Sequence, residues 1–465
     1  MSALPNQLAS RFKVKMHKGV KAEQHSIYPV SATGNTEFSY GNQNTISFMI
    51  PAYKRGFFNP KRSQFHFHVK TPTGVMMADG IPIINRMVLR SGNGQVLEDI
   101  QQYSAIDRAL KNFESIVDKH ANSARIGDYR VPKQTGASNI TTTQLKELYT
   151  NGTTVEHDLR SSILGKSQEH YIPVGLFNAS GGYAFELMLY LEDPKIACVK
   201  DADAPVLNYT LTECTLQMEI VTMNQEITDK IDASLYEGGK VSIPYSQMRL
   251  HQSYVPANSQ QVELSISEAA HDLECVYSLI RKQNLNADAR LTDTNYTWQG
   301  IPFGDNLSFL GGHLDRTKDA ANSTNSELLG AIANYQFRYD TMYLPAKRAE
   351  MSAKDTKLAL INAVHSLDAV DKAVFASSTL STGKSLWDQG GVCAIVQSFK
   401  SARDGDKLSG LNSSATGAPL ELSLAFKKPQ AEALRVEHFV KSNYTLNIER
   451  GGRTTIINGA NRDAV

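Results

Sequence analysis

The chain has no run of eighteen apolar residues. Its richest stretch, Tyr183 to Leu191, is broken by Glu186, so a membrane-spanning helix is not expected. It also lacks an excess of either charge. With 48 Lys+Arg against 47 Asp+Glu the formal net charge is +1, which argues against a strongly basic nucleic-acid binder and against an acidic solvating protein. Met1 to Ser10 carries no apolar signal core and Arg11 to Lys21 is too charged to supply one, so Sec-type export is not expected. Cysteine is scarce. Cys198, Cys214, Cys275 and Cys393 stand apart, none at CxxC spacing, each in an apolar, strand-like context where a reduced thiol behaves as a small hydrophobe. A disulfide framework is therefore not expected, and maturation in a reducing compartment fits better.

Catalytic signatures are missing too. No HExxH, GxSxG or GxGxxG pattern occurs. Ser378 to Ser385 ends in Gly383-Lys384-Ser385 as a phosphate-binding loop does, but Ser378 stands where the backbone needs glycine to wrap the phosphates. Gly390-Gly391 also cuts short any following helix, so the segment reads as a polar loop. His66 and His68 flank Phe67 and would project from one face of a strand, but nothing nearby supplies a third zinc ligand. They read as a solvated or interfacial face opposite Phe65, Phe67 and Val69. The adjacent acids Glu98-Asp99 and Glu192-Asp193 would point to opposite faces of a strand, a poor arrangement for an acid/base pair. No catalytic, cofactor-binding or metal residues are assigned, and no enzymatic activity, cofactor or small-molecule substrate is expected. Nine Asn-x-Ser/Thr sequons, at Asn139, Asn151, Asn178, Asn208, Asn295, Asn306, Asn322, Asn412 and Asn443, read as chance in an Asn/Ser/Thr-rich chain without an export signal.

What is present is period-2 alternation, in a chain of 465 residues that is 41% hydrophobic and long enough for two or three domains. Leu216, Met218 and Ile220 alternate with Gln217 and Glu219, and Val262, Leu264 and Ile266 with Glu263 and Ser265. Leu273 to Leu279 does likewise, as do Leu420 to Phe426 and Tyr444 to Ile448. Tyr335, Phe337, Tyr339, Thr341 and Tyr343 would share one face. Such runs predict an all-β protein of antiparallel sandwiches; parallel sheets would show continuous apolar strands between long helices. Asn93-Gly94, between Met87–Arg90 and Gln95–Ile100, marks a hairpin, and Gly451-Gly452 marks another. A few short helices are expected near 101–117, near 355–370 and over Gln225 to Leu235, the first from the stripe Tyr103, Ile106, Leu110, Phe113 and Val117. Long polar insertions at roughly 120–168, 284–333 and 401–418 read as loops.

The two halves match in the order of these features, although not residue by residue. The expected division is a basic arm over 1–25, a first sandwich over 26–235, a second over 236–458 and a tail over 459–465. The arm is the one charge asymmetry: Arg11, Lys13, Lys15, Lys18 and Lys21 precede the first acid, Glu23, and could meet lipid or nucleic-acid phosphate.

The hairpin Arg86-Met87-Val88-Leu89-Arg90-Ser91-Gly92-Asn93-Gly94 with Val96–Ile100, the helix from Tyr103, and the closing runs Leu420–Phe426, Leu434–His438 and Tyr444–Ile448 resemble a known family. They are similar to the double jelly-roll major capsid proteins of icosahedral DNA viruses, the lineage of adenovirus hexon, tectivirus, polinton-like virus and virophage coats. The resemblance implies two tandem eight-stranded antiparallel jelly rolls per chain, and a homotrimer that offers six similar sandwiches to a six-neighbour position in a virion shell. It implies assembly inside a host cell, and partners that include neighbouring capsomers, penton and minor capsid proteins. The basic arm would lie at the inner surface, against an internal membrane or the packaged genome. Two other readings stay open: a carbohydrate-binding or glycan-active β-sandwich, which two tryptophans (Trp298 and Trp387) serve poorly, and a viral spike or other structural β-protein.

Overall fold

A computed structural model describes residues 21–30, 36–78, 80–112, 142–168, 170–177, 182–200, 206–283, 297–298, 301–302, 332–350, 395–399, 403–404, 407–408, 410–414, 417–430 and 432–458. The first eight long strands are β1 (Lys21–Ile27), β2 (Thr45–Pro51), β3 (Gly56–Lys70), β4 (Ile84–Ser91), β5 (Val96–Gln101), β6 (Thr153–His157), β7 (Tyr183–Leu191) and β8 (Thr210–Thr222). They form two antiparallel sheets, ordered β1-β8-β3-β6 and β2-β7-β4-β5. The next are β9 (Val241–Val255), β10 (Gln261–Ile266), β11 (Leu273–Lys282), β12 (Ile332–Tyr339), β13 (Met342–Glu350), β14 (Ile395–Ser398), β15 (Leu420–Phe426) and β16 (Leu434–Ile448). Their orders, β9-β16-β11-β14 and β10-β15-β12-β13, repeat the first pair strand for strand. A further strand, β17 (Thr454–Asn458), extends the first of these sheets beside β16. In each half the first strand lies beside the last and the second beside the seventh, which is the winding of a jelly roll. The fold is all-β, two jelly rolls in tandem.

The alternation works as expected. Leu216, Met218 and Ile220 face inward on β8, as do Leu420, Leu422, Leu424 and Phe426 on β15, all buried. Where parity would fail, a bulge restores it. Leu211 and Cys214 are an odd number apart yet both are buried, because the ladder between β8 and β3 shifts register between Thr212 and Thr215, with Glu213 at φ +51°. Phe48, Phe65 and Phe67 stack inside the first roll, their successive ring centroids 5.8 and 5.0 Å apart. One continuous apolar core runs through both rolls.

Several expectations need correction. Tyr343 does not share the face of Tyr335, Phe337 and Tyr339. The chain turns over Asp340 (φ +51°) and Thr341, and Tyr343 lies exposed on β13. The polar stretch 120–168 is not all loop: it contains a helix, α2 (Thr142–Asn151), and β6. That strand has five residues and buries Thr153, Val155 and His157, too few and too polar to reveal alternation. β1 begins at Lys21, so the strand takes in the last five residues of the segment expected to be an arm. The helix near 101–117 is α1, described over Tyr103–Asn112. Residues 113–117, the helix expected near 355–370 and the phosphate-loop-like 378–385 lie outside the described residues. The linker helix, α3 (Gln225–Tyr236), follows β8 as expected and buries Thr228, Ile231 and Leu235; Ile231 and Leu235 join Phe57 and Met223 in a small apolar cluster.

Candidate functional site

The residues singled out in the sequence are not drawn together. His66 and His68 stand on β3 opposite the buried Phe65, Phe67 and Val69. His66 Nε2 lies 3.7 Å from Glu156 and His68 Nδ1 lies 3.4 Å from the Thr154 hydroxyl. Among the described residues no three His, Cys, Asp or Glu side chains are grouped to hold a metal ion. Cys198, Cys214 and Cys275 are buried, and burial pushes the Cys214 thiol up to about 12; Cys393 is outside the described residues. Of the described sequons, Asn151, Asn208 and Asn412 are exposed. Asn443 is on β16, where its Oδ1 accepts a hydrogen bond from Ser246 at 2.9 Å. Lys21 is exposed at the start of β1, level with Thr222; Arg11, Lys13, Lys15 and Lys18 lie outside the described residues.

The adjacent acids do point apart, with structural consequences. Asp99 receives Arg86 through two hydrogen bonds of 2.7 and 2.6 Å, whereas Glu98 turns into the protein. Asp193 caps a single helical turn by accepting from the Lys195 N–H at 2.9 Å, whereas Glu192 is buried. Glu192 accepts from Asn85 Nδ2 at 2.8 Å and from the Ser104 hydroxyl. Burial raises the pKa of both buried carboxyls, against hydrogen bonds that lower it.

The polar groups that do converge sit where the two jelly rolls meet. β5, an edge strand of the first roll, packs against β9, an edge strand of the second. Gln247 Nε2 donates to the Leu97 carbonyl at 2.7 Å, and Gln168 Nε2 donates to the Pro244 carbonyl at 3.1 Å. Ser162 Oγ lies 2.6 Å from Glu98 Oε1 and also meets the Ser246 carbonyl. The turn after β4 reaches the turn before β17: Asn93 Nδ2 donates to the Gly452 carbonyl at 2.8 Å, and Thr454 Oγ1 donates to Gln95 Oε1 at 2.7 Å. Deeper in, Arg281 Nη2 donates to Gln102 Oε1 at 3.0 Å and also pairs with the buried Glu437, which Arg435 meets at 3.0 Å. Sequence reasoning missed this seam. Its one legible trace is a carboxylate, Glu98, on an otherwise apolar strand face.

The seam has unmatched counterparts. By position in the winding, β13 is to the second roll what β5 is to the first, and β1 is to the first what β9 is to the second. On β5 Leu97, Glu98 and Ile100 are buried, whereas on β13 Met342, Tyr343, Ala346, Lys347 and Arg348 are exposed. On β9 Ile243 and Tyr245 are buried, whereas on β1 only Ile27 is. Among the described residues the chain thus carries one closed seam and one uncovered half of each kind. Edges left so open are surfaces that other proteins cover or defend.

No family model and no curated protein matches the sequence. Solved structures do. PBCV-1 VP54, fitted into a reconstruction of the virophage Sputnik, is similar with a TM-score of 0.59 at 12% identity, over 96% of this chain and 98% of that one. A quasi-atomic model of the PBCV-1 virus capsid gives 0.58 at 12% identity over the same shares. The Faustovirus major capsid protein gives 0.49 at 10% identity, over 94% of this chain and 92% of that one. At near-complete coverage of both chains, and with the same winding in both halves, this chain has the fold of the double jelly-roll capsid proteins.

Proposed function

We propose that the chain is a major capsid protein of an icosahedral virus, which trimerises into pseudo-hexameric capsomers and tiles the virion shell. The observation that carries this reading is the open seam. The contact of β5 on β9 joins roll one to roll two, and the exposed β13 and β1 offer a similar joint from roll two to roll one of a neighbour. A head-to-tail contact of this kind closes into a ring when the rotation per step divides a full turn, and otherwise runs on as a filament. Two rolls per chain and three chains give six such joints around one axis. The full-chain similarity to a protein seen in a virus capsid supports the same reading.

The rest of the assignment follows from it. The first roll extends to residue 235, the second spans 236–458, residues 459–465 form a tail, and the arm is the part before Lys21. Arg11, Lys13, Lys15 and Lys18, with Lys21, contact a polyanion at the inner surface, lipid phosphate or genome. Other capsid subunits are the partners, and the role is structural rather than catalytic. Interfaces of this obligate kind commonly bury more than about 2,000 Å². Size-exclusion chromatography with light scattering is the test: a particle of three chains, threefold in negative stain with a six-lobed base, is expected. A folded monomer at micromolar concentration, or an open filament, overturns the proposal.

A further inference from the structure

The contact between Glu98 and Ser162 contains a counting problem. Ser162 Oγ has one proton and two oxygen neighbours, Glu98 Oε1 at 2.6 Å and the Ser246 carbonyl of the other roll. A carbonyl can only accept. If Glu98 is a carboxylate it can also only accept, and the two contacts must then share a single proton. The other bonds leave no slack. Ser161 Oγ accepts from the backbone N–H groups of Ile163 and Leu164 at 3.2 and 2.8 Å, so its own proton goes to Glu98 Oε2. The Ser162 N–H donates to Glu98 Oε1 at 2.7 Å. Every contact is satisfied at once only when Glu98 is protonated. Glu98 Oε1–H then donates to Ser162 Oγ, and the Ser162 hydroxyl donates to the Ser246 carbonyl.

We propose that Glu98 is held as the neutral acid and works as a proton-dependent latch between the two jelly rolls, closed when protonated and released on deprotonation. The surroundings agree. The carboxyl is 2% exposed; burial, the largest influence, raises its pKa, the hydrogen bonds from Ser161, Ser162 and Ile163 lower it, and no cation is among the groups that act on it. From β9 the titratable group that faces it is Tyr245, with Arg249 and Tyr444 interacting with that phenol in turn. On β5 itself Asp99 points away and is neutralised by Arg86. From β4 its cross-strand neighbour is the apolar Leu89. Loss of the proton leaves two acceptors, Glu98 Oε1 and the Ser246 carbonyl, competing for the one hydroxyl proton of Ser162 at the seam. The latch does not depend on what the chain assembles into.

The sign of the effect is fixed by the count. Above the ordinary glutamate pKa the native chain binds one proton more than the unfolded chain. Stability therefore falls as pH rises, by up to about tenfold in the folding constant per pH unit, until the native carboxyl titrates. The test uses the full-length protein. Difference infrared spectra between wild type and Glu98→Gln at pH 7 should show the carbonyl stretch of a protonated acid; a carboxylate band in its place overturns the latch. Ser162→Ala gives an independent reading. If the acid donates to Ser162, removing that acceptor moves the Glu98 titration to lower pH. If a carboxylate accepts from Ser162, the same change moves it higher, and the proposal fails. Amide exchange at residues 243–248 should accelerate with pH in wild type relative to Glu98→Gln at the same pH. Equal rates in the two proteins also overturn it.

Discussion

Two buried side chains set opposite pH limits on the fold. His438 on β16 is buried with Nδ1 2.8 Å from the Ser278 hydroxyl, and burial together with His251 pushes its pKa down to about 3. It stays neutral in the native chain while the unfolded chain takes up a proton below the ordinary value of 6.5. The unfolded state binds more protons in that window, so stability falls as pH drops from 6.5 toward about 3, by up to roughly tenfold in the folding constant per unit. His438→Gln keeps a partner for Ser278 and cannot charge. Calorimetry from pH 7 to 4 should show a flatter acid limb for the variant, and an unchanged slope would remove His438 as the cause. Glu98 stood out in the sequence only as one of two adjacent acids on an apolar strand face, and His438 did not stand out at all. Glu98 and His438 occupy ordinary positions of alternating strands, and what singles them out is which neighbours the winding brings over them.

At the scale of elements, the strands that can be read from sequence are those with three or more alternate positions filled by large apolar residues, as on β8, β10 and β15. Those that cannot be read are short, like β6, or change parity within their length, as at Glu213, because alternation is a local signal and a bulge is set by the partner strand. The hairpin of β4 and β5 was legible through Asn93-Gly94, although only Gly94 takes the left-handed conformation, at φ +81°. A Cβ there would meet nothing within 4 Å, so Gly94→Ala tests backbone strain alone. It should cost about 1–2 kcal/mol in thermal or denaturant unfolding and leave the assembled state intact. A loss several times larger would mean that the turn is held by contacts the hairpin itself does not make.

For the whole molecule, the decisive feature is the contrast between covered β5 and uncovered β13. Tyr343→Asp, at an exposed position of β13, should shift the oligomer toward monomer in light scattering while leaving the monomer's melting temperature within a degree or two. Loss of the fold itself would mean that β13 is part of the core rather than an interface. Replacing Arg11, Lys13, Lys15 and Lys18 by Gln tests the arm separately. Binding to DNA or to anionic vesicles should weaken, and for DNA the salt dependence of log K should become shallower by roughly 0.9 per lost contact. Identical slopes would assign those cations to solvent. The architecture at this scale was legible as an order of features repeated in two halves. The seam was not, because its residues come from segments such as Ser161-Ser162 that read as loop.

The shared core has a consequence for how the chain is made. β5 buries Leu97 and Glu98 partly against β9, which begins at Val241, well over a hundred residues further along. A ribosome therefore releases a first roll whose flank is still bare, and the nascent protein carries a sticky edge until the next strand emerges. Four residues, 237–240, are all that separate the end of the helix Gln225–Tyr236 from β9 at Val241. Until β9 emerges, the bare flank of β5 is open to another nascent chain as much as to the chain's own second roll.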